Sequence, residues 1–117
     1  MYDPITNSFD LYHIGTVAHI HQLLYNSSWH TTDVTTAAGA PVVSVASGVI
    51  SDYDSLAQVL EVYYIANDLH VHQLWYNGSW HTTDVTASAN APVAFRGSAL
   101  ISDFNSINNT QEVYYLV

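Results

Sequence analysis

Residues 70–86, HVHQLWYNGSWHTTDVT, have a near-copy at residues 19–35, HIHQLLYNSSWHTTDVT. The offset between the two copies is 51 residues, and shorter matches keep the same offset. Residues 40–42 (APV) recur as 91–93, residues 50–52 (ISD) recur as 101–103, and residues 61–64 (EVYY) recur as 112–115. A fixed period of this length predicts a repeat architecture.

Runs rich in Val, Ile, Tyr, Trp and Thr alternate with turn signals, which predicts β-strands throughout. The strands are expected at about 8–15, 17–25, 28–35, 46–53, 60–66, 69–76, 79–86, 98–104 and 111–117. No apolar stripe keeps a period of 3.6 over a dozen residues, so no helix is expected. Asn77-Gly78 predicts a type I′ hairpin turn, in which both central residues need a positive φ.

Four short antiparallel strands in about 50 residues match the size of one β-propeller blade. We name the strands of a blade A (46–53), B (60–66), C (69–76) and D (79–86), counted from the axis outward. The chain then reads B-C-D, A-B-C-D, A-B. The predicted domains are a partial first blade with its connector at 1–45, a complete blade with its connector at 46–96, and the start of a third blade at 97–117.

About two blades cannot close a ring, because propellers usually need 4–8 of them. We therefore expect an all-β propeller whose ring is closed by homo-oligomerisation, with a neighbouring subunit completing the third blade. Three chains would form six blades and four chains would form eight. The trimer is favoured, and the tetramer is the alternative.

The composition excludes several partners. The net charge is −9 and Arg96 is the only basic residue, which argues against binding to nucleic acid or to an anionic membrane surface. No apolar run approaches the ~18 residues of a membrane span, so no membrane insertion is expected. Residues 1–4 lack the basic start and apolar run of a signal peptide, so no signal peptide is expected and the compartment, cytoplasmic or non-classically secreted, is left open.

The sequence resembles the fucose-binding lectin propellers of fungi and bacteria. The features that carry the resemblance are Val62-Tyr63-Tyr64 on strand B, the hairpin 76–80 (YNGSW), and Ala91-Pro92 ahead of a small-residue inner strand. Some members of that group are short two-blade chains that trimerise into a six-bladed ring. The resemblance covers nearly the whole chain and implies a carbohydrate-binding protein with repeated sugar sites.

The sequence both keeps and changes the sugar-binding positions of that group. Family blades place an Arg just before Val-Tyr on strand B and a Glu on strand C, and both hold sugar hydroxyls. Here the Arg position is taken by Glu61, Glu112 and Asp10, the Glu position by Gln22 and Gln73, and the Trp after the hairpin is kept as Trp29 and Trp80.

Sugar binding needs a flat apolar ring against C–H faces and planar polar groups for the hydroxyls. The candidate ligand-binding residues are therefore Trp29, Trp80, Gln22, Gln73, Glu61 and Glu112. The alternative is a structural or designed repeat assembly without a ligand, in which the Trp residues pack between blades and the Glu and Gln residues face solvent.

Two His-x-His pairs, His19/His21 and His70/His72, place two imidazoles on one face of strand C. With His30 or His81 on strand D they would form a zinc or nickel site. No carboxylate with an obvious spacing completes such a set, so we expect no metal and no cofactor.

An enzyme is not expected, because no acid, base or nucleophile converges. Ser79, His81 and Asp84 look like a hydrolase triad, but the spacing on a strand sends His81 and Asp84 to opposite faces. The acids Asp52, Asp54 and Asp103 are expected to be turn residues.

Overall fold

The chain forms three antiparallel β-sheets, and a computed structural model describes all of its residues, 1–117. The first sheet comprises β1 (Tyr2–Asp3), β2 (Ser8–Ile14), β3 (Ile20–Tyr25) and β4 (Trp29–Asp33). The second comprises β5 (Val49–Asp54), β6 (Val59–Ile65), β7 (Val71–Tyr76) and β8 (Trp80–Asp84). The third comprises β9 (Leu100–Asn105) and β10 (Thr110–Tyr115). The predicted all-β class is confirmed, and each predicted strand is present.

Strand β1 was not predicted from the sequence. Its two residues pair with Phe9 and Ser8 of β2, and the amino group of Met1 donates to the carbonyl oxygen of Asp10 at 2.7 Å. In the 51-residue repeat, residues 1–3 correspond to 52–54, the second half of β5. The remainder of β2 therefore has no strand partner along this edge, although the matching part of β6 is paired with β5.

Two short helices, α1 (Val34–Ala38) and α2 (Val85–Ala89), contradict the expectation that the chain has no helix. The side chains of Asp33 and Asp84 cap them by accepting from the backbone N–H groups of Thr36 and Ala87. Each helix has only five residues, which is too short for a 3.6-residue apolar stripe to be recognised.

The hairpin turn differs from the predicted type I′ geometry. Three residues separate the last paired residues, Tyr76 and Trp80, and Gly78 has a φ of 116° while Asn77 is not in the positive region. At the same place in the first copy, Ser27 has a φ of 87°. A loop of three residues does not need positive φ at two successive positions, which is why the prediction was wrong.

Two apolar clusters hold the sheets face to face. Between the first and second sheets, Ile20 and Val34 pack with Val62, Tyr64 and Leu74. The second cluster lies between the second and third sheets. Its buried members are Tyr63, Ile65, Val71, Ala94 and Leu100. Alternate residues of β6 thus enter opposite clusters, as strand geometry requires.

No helix in the chain has the length and apolar character needed to cross a lipid bilayer.

We predict that Ser27→Gly increases the free energy of unfolding by about 1 kcal/mol, because an L-residue in the left-handed region costs roughly that much. The converse change, Gly78→Ser, places the same strain in the second copy and should reduce the stability by a similar amount. Urea unfolding followed by tryptophan fluorescence measures both. Equal stability of Ser27→Gly and the wild type would contradict the prediction.

Candidate functional site

A cavity of about 260 Å³ lies between the first and second sheets. Its lining combines aromatic, aliphatic and uncharged polar side chains with one carboxylate. The first sheet and its β1–β2 turn contribute Asp3, Thr6, Gln22, Leu24 and Thr32, and the second sheet contributes Tyr76 and Trp80. Two of the candidate residues from the sequence, Gln22 and Trp80, are thus brought together here from different repeats.

Trp80 forms the aromatic wall of the cavity. Its ring lies 5.2 Å from Tyr76 at a tilt of 47° and meets Tyr12 of the first sheet edge-on, with the centroids 6.2 Å apart. It also packs against the apolar cluster between these sheets. Trp80 therefore both lines the cavity and joins the two sheets.

Gln22 has a side-chain carbonyl oxygen that accepts no hydrogen bond from the protein. Its amide nitrogen donates to Asp10 Oδ2 at 3.0 Å and to the Tyr12 hydroxyl at 3.2 Å, whereas no protein donor reaches its carbonyl oxygen. The Thr32 hydroxyl makes no hydrogen bond to the protein. A bound molecule would find one carbonyl acceptor and one hydroxyl group that can donate or accept.

The second sheet repeats the Gln22 arrangement. The amide nitrogen of Gln73 donates to Glu61 Oε2 at 2.6 Å and to the Tyr63 hydroxyl at 3.2 Å. Glu61 is only 4% exposed. The Glu61 carboxyl group, on the adjoining strand and diagonal to Gln73, thus orients the Gln73 amide.

Glu61 belongs to a buried acid pair with Asp52, its partner across strands β5 and β6. Burial, reinforced by the negative charge of Asp52, raises the pKa of Glu61 to about 8, and burial also raises the pKa of Asp52. Glu61 Oε1 and Asp52 Oδ1 are buried without a hydrogen-bond partner. A proton on Glu61 supplies the missing donor between two carboxylates that would otherwise repel each other.

Asp52 also connects the second and third sheets. Its Oδ2 atom accepts from Gln111 at 2.9 Å and from Ser102 at 3.3 Å. The expectation that Asp52 and Asp103 are turn residues is therefore wrong, because both lie within strands, β5 and β9. Asp54 does have that role, because its Oδ1 atom accepts from the backbone N–H groups of Leu56 and Ala57.

Trp29 and Glu112 are the outlying members of the predicted set. Trp29 is 57% exposed. Its ring centroid lies 5.2 Å from that of Tyr25 at a tilt of 52°, which is close to the geometry of Tyr76 and Trp80, but no other sheet covers the pair. Glu112 accepts from the Tyr114 hydroxyl at 2.8 Å, a bond that lowers its pKa. Neither residue contacts the cavity.

Sequence reasoning missed Asp3, Thr6 and Thr32. Asp3 and Thr6 lie in and after β1, the strand that the sequence did not predict. Thr32 was recognisable in principle, because on strand D it occupies an alternate position that faces the same way as Gln22 on strand C, its cross-strand partner.

The histidines do not follow the expected grouping. His81 stacks on Trp75 with centroids 4.2 Å apart and bonds to Ser79 and Asn77. Asp84 accepts from His70 instead, at 2.7 Å, so the Ser79–His81–Asp84 triad is not assembled.

The argument that no carboxylate completes a set with a His-x-His pair does not hold in the second repeat. Asp68 and Asp84 both approach His70 and His72. They were missed because one acid belongs to the turn before strand C and the other to the end of strand D.

Comparisons with models of protein families, with curated proteins and with solved structures found no significant match for this chain.

We predict that Glu61→Gln stabilises the protein at high pH. A carboxyl group whose folded-state pKa exceeds its ordinary value of 4.5 contributes stability below that value, and this contribution is lost as the pH rises to about 8. The amide needs no proton from solvent, so at pH 9 the variant should exceed the wild type by on the order of 1 to 3 kcal/mol. Urea unfolding at pH 5 and pH 9 measures the difference.

Glu112→Gln is the matched control, because Glu112 has the same repeat position but is only half-buried, and its hydrogen bond from Tyr114 lowers its pKa. It should not become more stable relative to the wild type between pH 5 and pH 9. A similar gain in both variants would show that overall charge, and not burial of Glu61, is responsible.

Proposed function

We propose that this chain is a carbohydrate-binding protein whose sheets are blades of a β-propeller closed by several copies of the chain. The observation that carries the proposal is the cavity between the first two sheets, where Trp80 faces Gln22 across the sheet junction. An aromatic ring supplies a surface for the C–H face of a sugar, and unpaired polar groups supply hydrogen bonds to hydroxyls. Its volume is slightly below the ~300 Å³ at which ligand pockets begin, which suits a monosaccharide.

The arrangement of the sheets supports the assignment of blades. Both complete sheets have the same strand order, and they are related by the 51-residue repeat. Their inner edges converge, because β5 lies beside β2 and β9 lies beside β5. Sheets that approach one another at their inner strands and stack face to face are consistent with the layout of a propeller.

The outer face of the first sheet supports closure by a second copy. Leu11 on this face is 46% exposed, whereas Val62, at the same repeat position, is completely buried against the neighbouring sheet. At the other end of the chain, Tyr114 is 54% exposed and its counterpart Tyr63 is 3% exposed. Each end thus presents an apolar face whose counterpart is buried between sheets, which is the condition for head-to-tail association into a ring.

A second sugar site would form if strands β3 and β4 of a neighbouring copy completed the third sheet beside β10. Gln73 and Thr83 of the second sheet are the repeat counterparts of Gln22 and Thr32, with the Thr83 hydroxyl accepting from Trp75 at 3.2 Å. The exposed Tyr25 and Trp29 are the counterparts of Tyr76 and Trp80. Joining these two sets from two copies would produce one site at each subunit junction in addition to the one inside each chain. Repeated weak sites on a rigid ring gain avidity for branched glycans.

A ligand-free structural assembly is the second candidate. The observation that favours it is the packing of Trp80 against Tyr12 and the apolar cluster, because this contact would be needed for assembly alone. Trp80→Ala therefore damages both functions and does not separate them. A change confined to the polar side of the cavity does.

We predict that Thr32→Val weakens glycan binding by about tenfold, since it removes a hydroxyl group from the cavity at constant shape, a loss of about 1.4 kcal/mol. Thr16→Val is the matched control, because Thr16 is exposed in the turn between β2 and β3, lies outside the cavity lining and should leave binding unchanged. Binding is measured on a glycan array and then by tryptophan fluorescence with the best sugar. Absence of binding to every glycan, with the oligomer intact, would contradict the proposal.

We also predict that light scattering detects a species with the mass of three chains. Leu11→Glu should convert it to monomers, because the substitution places a charge on a face that the ring buries. Ile107→Glu, at a residue 91% exposed in the β9–β10 turn, should not change the mass. A compact wild-type monomer would exclude ring closure by this route.

A further inference from the structure

Four side chains converge where the turn before β7 meets the end of β8. His70 Nδ1 lies 2.7 Å from Asp84 Oδ2 and 3.8 Å from Asp68 Oδ2. His72 Nε2 lies 3.3 Å from Asp68 Oδ2 and 3.9 Å from Asp84 Oδ2. All four atoms are within 4.8 Å of one another. From this convergence we propose that Asp68, His70, His72 and Asp84 form a zinc site with two nitrogen and two oxygen ligands.

The spacing of these atoms suits tetrahedral zinc. Zn²⁺ binds histidine nitrogen and carboxylate oxygen at about 2.0–2.2 Å, so neighbouring ligands in a tetrahedron lie about 3.3–3.6 Å apart. One of the four nitrogen–oxygen distances is shorter than this range and two are longer. Shifts of the ligand atoms by less than about 1 Å would bring each distance into it. Two carboxylates also balance the two charges of the ion, and the chain as a whole carries −9.

Both carboxylates are already oriented for this role by their second oxygen atoms. Asp84 Oδ1 accepts from the backbone N–H of Ala87 at 2.9 Å, which caps α2. Asp68 Oδ1 accepts from the backbone N–H of His70 at 3.0 Å. In each case the bonded oxygen holds the side chain while Oδ2 faces the imidazoles, an arrangement that presets a metal ligand.

The histidines are held in place as well. His72 is 5% exposed, and its ring stacks between those of Tyr64 and His70 at centroid distances of 5.8 and 6.2 Å. The other three ligand residues remain partly open to solvent, so an ion can reach the cluster without unfolding. Four protein ligands leave no open position, and the site is therefore structural.

The first repeat contains an incomplete version of the same cluster. His19, His21 and Asp33 match His70, His72 and Asp84, and His19 Nδ1 lies 2.8 Å from Asp33 Oδ2. Val17 stands where the second copy has Asp68. A His–Asp hydrogen bond is therefore common to both repeats, whereas the four-ligand set occurs only in the second.

Calorimetric titration of the chelator-treated, untagged full chain with Zn²⁺ tests the proposal. We expect one ion per chain, and tetrahedral visible absorption when Co²⁺ replaces Zn²⁺. Asp84→Asn and Asp68→Asn should each weaken Zn²⁺ affinity by about 100-fold or more, the upper range for losses of outer-shell partners. Both substitutions keep the Oδ1 acceptor, and Asn is as good a helix cap as Asp, so the fold is retained.

Asp33→Asn is the matched control in the first repeat, where it removes the same His–Asp bond and should leave Zn²⁺ affinity unchanged. Equal losses in Asp33→Asn and Asp84→Asn would overturn the proposal, because binding would then reflect surface His–Asp pairs in general. Absence of Zn²⁺ binding, or unchanged affinity in Asp84→Asn, would overturn it too. None of these outcomes depends on sugar binding.

Discussion

Strand β6 is buried on both faces, and the rest of the structure depends on this packing. Val62 and Tyr64 point into the cluster shared with the first sheet, while Tyr63 and Ile65 point into the cluster shared with the third. An antiparallel sheet more often has one face in contact with water. Because β6 has none, the second sheet is stable only with a neighbour on each side, and the first and third sheets each lack one such neighbour within the chain.

The same burial explains the chemistry of the acids. Glu61 lies in β6 and is buried, which raises its pKa, whereas the half-buried Glu112 at the same repeat position has a lowered pKa. Glu61 is the cross-strand neighbour of Asp52, which in turn accepts from Gln111 of the third sheet. A row of polar contacts thus crosses the sheets beside the apolar clusters. Such contacts add less to stability than to the selection of one register between sheets.

The strands and their order could be predicted from the sequence because the 51-residue repeat shows each pattern more than once. The helices α1 and α2 could not be predicted, because a helix of five residues capped by Asp33 or Asp84 leaves no periodic signal in the sequence.

In the candidate site, the aromatic and amide residues could be recognised from their chemistry. That Trp80 faces Gln22 rather than Gln73 could not be recognised, since this depends on how one sheet stacks on the next. The acids beside His70 and His72 were hidden for the same reason, as they come together only when the turn and α2 form.

The short strand β1 leaves part of the inner edge of β2 open. Beyond Asp10, the backbone N–H and C=O groups on this side of β2 have no ladder partner, and an unpaired edge accepts any extended segment that reaches it. Residues fused ahead of Met1, such as a purification tag, would pair with this open edge of β2, in the same direction as β5 pairs with β6. The choice of terminus for a fusion would then alter how the innermost strand position is filled.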